Sequence, residues 1–90
     1  GTTSLDDDLA SFFSLYPNPV NSKLYLSFKD QLIGDLEVEI FDLQGRRQMY
    51  QLIRHPAEEI SLSLSHLADG YYQVQLTAND QVYRLKLVKE

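Results

Sequence analysis

The residues of this chain that could support nucleophilic chemistry lie in one short stretch, where Ser65, His66 and Asp69 follow one another closely. A nucleophilic serine needs a base within hydrogen-bond reach and a third group that orients the base. Neighbouring residues in a loop at the end of a strand point in different directions, and no glycine-framed turn surrounds this serine. We therefore expect a turn in which the serine and the aspartate cap backbone groups, rather than a catalytic triad.

Candidate metal ligands and paired acids are few. The chain has no cysteine, and His55 and His66 lack the paired spacing of a zinc site. The aspartate run from Asp6 to Asp8 lacks the glycine and downstream glutamate of a calcium loop. Glu37 and Glu39 should lie about 7 Å apart on one strand face, but paired glycosidase acids need a cleft. We predict no metal, no cofactor and no enzymatic activity.

Exposed aromatic rings are the remaining candidates for a binding site. Tyr25, Phe41 and Tyr71 fall on predicted outward faces of strands, where a ring can stack on a sugar or on a protein partner. Aromatic residues are also favoured in strands, where they often lie across their cross-strand neighbours. A carbohydrate- or protein-binding platform therefore remains an alternative.

Composition and charge exclude several classes of partner. The net charge is -5 at pH 7, whereas nucleic acids and anionic membranes usually bind basic surfaces. We expect no nucleic acid, no membrane surface and no small-molecule substrate as a partner. No apolar run is long enough to span a membrane, and we expect no signal peptide within these residues. Because the chain begins with Gly1 and has no initiating methionine, we expect it to be a fragment or a processed piece of a longer protein.

The elements that position these residues are predicted to be strands. Apolar and polar residues alternate in five segments, which indicates strands with one face on a core and the other in water. Two weaker strands, at residues 13–16 and 46–53, bring the total to about seven, and no helix of ordinary length is expected. The predicted inward residues are Leu24, Leu26, Phe28, Leu36, Val38, Ile40, Ile60, Leu62, Leu64, Tyr72, Val74, Leu76, Tyr83, Leu85 and Leu87.

Turn residues separate the predicted strands. Pro17, Asn18 and Pro19 must form a turn or an extended corner, because neither proline can donate to a ladder. Residues 43–45 predict a tight hairpin with Gly45 at positive φ. Further turns are expected at residues 55–57 and, as a two-residue hairpin turn, at 79–80. Short strands joined by frequent turns predict an all-β antiparallel sandwich.

The polar N-terminal stretch, residues 1–11, is predicted to be a linker that leads into a domain spanning residues 12–90. The alternative is a short helical turn around residues 6–13, since acidic residues suit the start of a helix.

Three motifs, taken together, resemble those of a known family. The first is LYPNP at residues 15–19, followed by a strand. The second is VEIFDLQGR at 38–46, a strand that runs into a glycine hairpin. The third is LADGYY at 67–72, with LKLVK at 85–89 near the end. In this order and spacing, residues 13–90 resemble the C-terminal sorting domain of type IX secretion cargo, the secretion-tail family of Bacteroidota.

The resemblance implies a seven-stranded immunoglobulin-like β-sandwich at the C-terminus of a larger protein. It implies passage through the periplasm, recognition by the type IX outer-membrane translocon, and delivery of an upstream passenger to the outer membrane, the cell surface or the medium. In most cargo of the family, a sortase-like protease then cuts in the linker and joins the passenger to an anionic lipopolysaccharide. A minority of members keep the domain. Residues 1–11 would be where passenger and domain part.

The terminal strand, residues 82–89, is the predicted recognition element. If it lies at a sheet edge, a partner could bind by strand addition; the alternative is that its apolar residues only fill the core and its lysines only blunt the edge. Two other functions remain open, an accessory binding module of an extracellular protein and a structural spacer. The residues expected to contact the translocon are Val82, Arg84, Lys86, Val88, Lys89 and Glu90. The residues that match the family motifs and are expected to set backbone geometry are Pro17, Asn18, Pro19, Gly45, Gly70 and Tyr71.

Overall fold

The computed structural model describes residues 13–28, 34–57, 59–78 and 80–90, and these form seven strands in two sheets. The expected linker, the aspartate run from Asp6 to Asp8 and Asn79 lie outside the described residues. The strands are β1 (Phe13–Tyr16), β2 (Lys23–Phe28), β3 (Leu36–Asp42), β4 (Arg47–Ile53), β5 (Glu59–Ser63), β6 (Gly70–Ala78) and β7 (Gln81–Lys89).

The two sheets have the orders β1-β2-β5 and β4-β3-β6-β7, and all of these strands pair antiparallel. The all-β class and the total of about seven strands, five from alternation and two weaker, are thus confirmed. No helix in the described part of the chain is long and apolar enough to cross a membrane.

The core consists of the inward residues of both sheets. In β3, for example, Leu36, Val38 and Ile40 are fully buried, while Glu37 and Glu39 between them stay partly exposed. Burial of each such apolar side chain contributes about 1.5–3 kcal/mol. A slip of one residue would push the two glutamates into the core, so burial fixes the register of the strand.

The β3–β4 hairpin is organised by the side chain of Asp42. One carboxylate oxygen accepts hydrogen bonds from the backbone N–H groups of Gln44 and Arg46, both at 2.9 Å. The other oxygen accepts from the Arg46 guanidinium at 2.9 Å and from the Gln48 amide at 3.0 Å. Gly45 has φ +83°, a conformation that glycine adopts without steric cost. The predicted hairpin with Gly45 at positive φ is therefore confirmed.

The turn that leads into β6 is closed by Tyr72. Its hydroxyl donates a 2.6 Å hydrogen bond to the backbone carbonyl of Ala68, four residues upstream, and its ring is buried in the core. This arrangement is the tyrosine corner that recurs in immunoglobulin-like sandwiches. Tyr71, which matches the family motif, points outward as the alternation predicts and is 66% exposed.

Candidate functional site

Strand β7 forms one edge of the four-stranded sheet, where it pairs with β6 along its full length. Its residues alternate between the two faces as predicted. Leu87 is buried in the core, whereas the side chains of Arg84 and Lys86 are exposed on the outer face. The condition set by the sequence, that the terminal strand lies at a sheet edge, is met.

Residues 17–20 cover the C-terminal half of this edge. Val20 forms an isolated parallel bridge with Lys89, in which the Val20 N–H donates to the Val88 carbonyl and the Glu90 N–H donates to the Val20 carbonyl, both at 2.8 Å. The Asn18 side chain donates to the Lys86 carbonyl at 3.2 Å and accepts from the Val88 N–H at 3.0 Å. The segment predicted to be a turn therefore also covers the strand edge, and we call residues 17–20 the edge cap.

The other half of the β7 edge has no strand paired with it among the described residues. The N–H and C=O of Val88 point towards the edge cap. Backbone groups of every second residue in a strand point to the same edge, so those of Arg84 and Val82 also point away from β6. These groups form a short segment of sheet edge at which another chain can pair.

The six predicted recognition residues have different environments. Val82 is 46% exposed, Val88 is half-buried, and Glu90 is exposed beyond the end of the strand. Lys89 differs from the expectation of a displayed lysine. Its side chain is only 7% exposed, because position 89 continues the inward series, and its ammonium lies 3.8 Å from the Asp69 carboxylate.

A groove of about 770 Å³ lies on the outer face of the sheet, at the end where β3 and β7 finish and β6 begins. Tyr71 pairs with Val88 across this end, and Gln73 lies between Phe41 and Lys86 in the next row. Residues that line the groove include Phe41, Leu43, Tyr71, Gln73, Lys86 and Val88. The hairpin at 42–46, the segment at 67–72 and the terminal strand thus meet here, and the edge cap holds the strand from its other side.

The two β3 acids on this face are bound by neighbouring side chains, whereas two cations of β7 have no such partner. Arg47 forms a 3.1 Å ion pair with Glu39, and the Tyr50 hydroxyl donates to Glu37 at 2.9 Å. That hydrogen bond, together with burial and nearby carboxylates, raises the pKa of Tyr50. By contrast, Lys86 and Arg84 have no ion pair with any described residue.

The Asp42 carboxylate on the groove wall is also neutralised. Its side chain is only 14% exposed and contacts the Arg46 guanidinium. Burial raises the pKa of Asp42, but hydrogen bonds from the backbone and guanidinium of Arg46 and from the Gln44 N–H outweigh it, so the pKa is lowered overall. Lys86 is therefore the groove-lining charge that is left without a counter-ion in the described structure.

The residues considered for catalysis do not assemble into a site. The Ser65 hydroxyl lies 3.4 Å from that of Ser63, and Asp69 faces Lys89. Within the described ranges, no hydrogen bond joins Ser65, His66 and Asp69, and no group of three or more acidic or histidine side chains is placed to hold a metal ion. The expected capping bonds of Ser65 and Asp69 are not among the hydrogen bonds formed there.

The aromatic residues considered as a platform divide between the two sheets. Tyr25 lies on β2, where its ring stacks on that of Tyr16 at 5.6 Å between centroids. Phe41 and Tyr71 both line the groove on the other sheet. The structure therefore brings two of the three together, and adds Lys86 and Val88 from the predicted recognition strand.

Comparison with known proteins identifies the family. The family model described as the secretion system C-terminal sorting domain matches residues 14–90. A solved structure of a DUF3244 family protein from Bacteroides vulgatus ATCC 8482, described as having an immunoglobulin-like β-sandwich fold, is similar with a TM-score of 0.74 and 17% identity; the match covers 94% of this chain and 88% of that one. A comparison with curated proteins finds no similar sequence. The immunoglobulin-like sandwich is thus confirmed, and the chain belongs to the family of C-terminal sorting domains of type IX secretion.

Proposed function

We propose that this domain directs an attached passenger through the periplasm to the type IX translocon, which reads the terminal strand β7. The family supports the general role, which is export to the cell surface or the extracellular space by the type IX machinery. Family and fold also indicate a non-catalytic domain. In this proposal, the passenger precedes residue 12, and a sortase-like protease cuts within residues 1–11.

The observation that carries the proposal is the uncovered half of the β7 edge. The backbone N–H and C=O groups of Val82 and Arg84 point away from β6, in the plane of the sheet, and no strand in the described part of the chain pairs with them. The edge cap closes the rest of the strand, so strand addition by the translocon is limited to this short segment. Arg84 is the residue of this segment nearest the edge cap, and its exposed side chain places a cation beside the open edge.

The experiment replaces Arg84 by proline in a reporter fused to the N-terminus of this chain, expressed with a signal peptide in a Bacteroidota host that has a working type IX system. Proline at position 84 removes an N–H that faces the open edge and leaves the ladder to β6 intact, which is where sheets tolerate proline. The matched control, Arg84→Ala, removes the side chain but keeps that N–H. We measure the reporter at the cell surface and in the medium against the reporter in the periplasm.

Loss of export with Arg84→Pro but not with Arg84→Ala supports recognition by strand addition. Loss with both variants places recognition in the side chain and overturns strand addition. Export of Arg84→Pro at the wild-type level, with a cooperative unfolding transition in the purified variant, also overturns it. Unfolding is measured in parallel so that a misfolded variant is recognised.

A further inference from the structure

We infer that the groove on the outer face of β3, β6 and β7 is a second contact with the export machinery, and that it binds an extended peptide segment with an apolar anchor two residues from a carboxylate. This inference rests on the proposed function, because it concerns how the same domain is read. The two contacts use different surfaces of the domain. The groove presents side chains to a partner, whereas the open edge of β7 presents backbone groups.

The edge cap is the first argument. Asn18 and Val20 bond the edge-facing carbonyl of Lys86 and both edge-facing groups of Val88, so a partner cannot add a strand along this half of β7. The C-terminal half of β7 can be contacted from the outer face of the sheet, and on that face it forms a wall of the groove.

The anchor subsite is at the end of the sheet. Leu43 is 74% exposed and Tyr71 is 66% exposed, and both line the groove together with Val88. Large apolar side chains that stay in water next to a concavity are typical of interaction sites. An aromatic or aliphatic side chain of a partner would bury these surfaces and displace water from them.

The charges set the polarity of the bound segment. Lys86 lacks a counter-ion, and Arg84 lies two residues before it on the same face, further from the end of the sheet. Asp42 is neutralised by the Arg46 guanidinium. At the other end, Glu90 is an exposed acid without an ion pair to a described residue, and it would repel a carboxylate. A negative group on the partner is therefore placed towards Lys86, away from the end of the sheet.

The spacing follows from the register. Tyr71 and Val88 form one row across the sheet, and Lys86 belongs to the next row on the same face. Such rows are about 7 Å apart, the distance that separates residues i and i+2 of an extended peptide. The segment therefore carries its anchor at one position and aspartate or glutamate two positions away.

Export in cells tests the groove separately from the sorting function. In the reporter fusion described above, we expect Tyr71→Ser combined with Lys86→Glu to abolish export. The matched control is Tyr50→Ser combined with Lys23→Glu, which changes an exposed tyrosine at the β4 side of the same sheet and a lysine on the other sheet. If the unaltered fusion is not exported, the proposed function fails. If it is exported and the groove variant is exported equally well, only the groove inference fails.

Binding of a defined probe tests the chemistry of the occupant. The capped peptide Ser-Phe-Ser-Glu-Ser is titrated into the isotope-labelled 90-residue chain and followed by NMR. We expect shifts at Tyr71, Lys86 and Val88, and about tenfold weaker binding when Glu in the peptide is replaced by Gln or Phe by Ala. Absence of shifts, equal binding of all three peptides, or shifts at these residues with cellohexaose but not with the peptide would overturn the inference.

Discussion

Replacement of Asn18 by alanine tests how the edge cap holds the terminal strand. The Asn18 side chain makes two hydrogen bonds to the backbone of β7, to Lys86 at 3.2 Å and from Val88 at 3.0 Å, across 68 and 70 residues of sequence. Alanine removes both bonds and opens the edge-facing N–H of Val88 to water. The core side chains are not altered.

The expected loss follows from these two bonds. A hydrogen bond contributes about 0.5–1.5 kcal/mol net, and both bonds are exposed, so we expect Asn18→Ala to lower the free energy of unfolding by about 1–2 kcal/mol. In a domain of this size, each kcal/mol corresponds to a decrease in Tm of about 4–8 °C. The assay is urea denaturation of the full chain, with amide hydrogen exchange at Val88 as a local measurement.

The control is Asn21→Ala, since Asn21 is exposed and its side chain makes no hydrogen bond to a described residue. We expect this variant to unfold within about 0.5 kcal/mol of the wild type, as is usual for surface positions. If both variants unfold at the same urea concentration and Val88 exchanges at the wild-type rate in each, the edge cap does not stabilise the strand and the argument from Asn18 is refuted.

Three further predictions concern the turns. Tyr72→Phe removes the 2.6 Å bond of the tyrosine corner and should cost about 1–1.5 kcal/mol in urea denaturation, whereas Tyr71→Phe should be neutral within about 0.5 kcal/mol. Gly45→Ala must accommodate φ +83° and should cost about 1–2 kcal/mol, measured in the same way; an unchanged midpoint would contradict strain at this turn. Because the pKa of Asp42 is held below its ordinary value of 3.8, the stability contributed by its ionised form is fully present above that pH and is lost as pH falls through the lower folded pKa. Asp42→Asn should therefore show a smaller loss of stability below pH 3.8 than the wild type, and parallel pH profiles would count against this assignment.

The strands could be predicted from the sequence because their signal is local. Alternation with a period of two identifies the buried face of each strand, and Leu36, Val38 and Ile40 illustrate this. The same alternation also predicts that position 89 points inward. The side chain of Lys89 is accordingly buried, with only 7% exposed, although its charge alone would favour a place on the surface.

The site could be predicted only in part, because it depends on contacts between distant residues. The terminal strand was recognised, but the role of Asn18 depends on atoms 68 and 70 residues away. The groove likewise needs Phe41 of β3 beside Tyr71 of β6 and Val88 of β7. The tyrosine corner did leave a local signal, namely a tyrosine two residues after Gly70 at the start of a strand, which identifies Tyr72 rather than Tyr71.

The distribution of a reporter between the periplasm and the cell surface tests the sorting function most directly. The reporter, with a signal peptide, is fused to this chain, to an unrelated immunoglobulin-like sandwich of similar size, or to nothing, in hosts with and without a working type IX translocon. We predict that the reporter reaches the surface or the medium only with this chain and only in the host with the translocon. Equal export with the unrelated sandwich would show that the domain is a spacer, and export without the translocon would contradict its role as a type IX sorting signal.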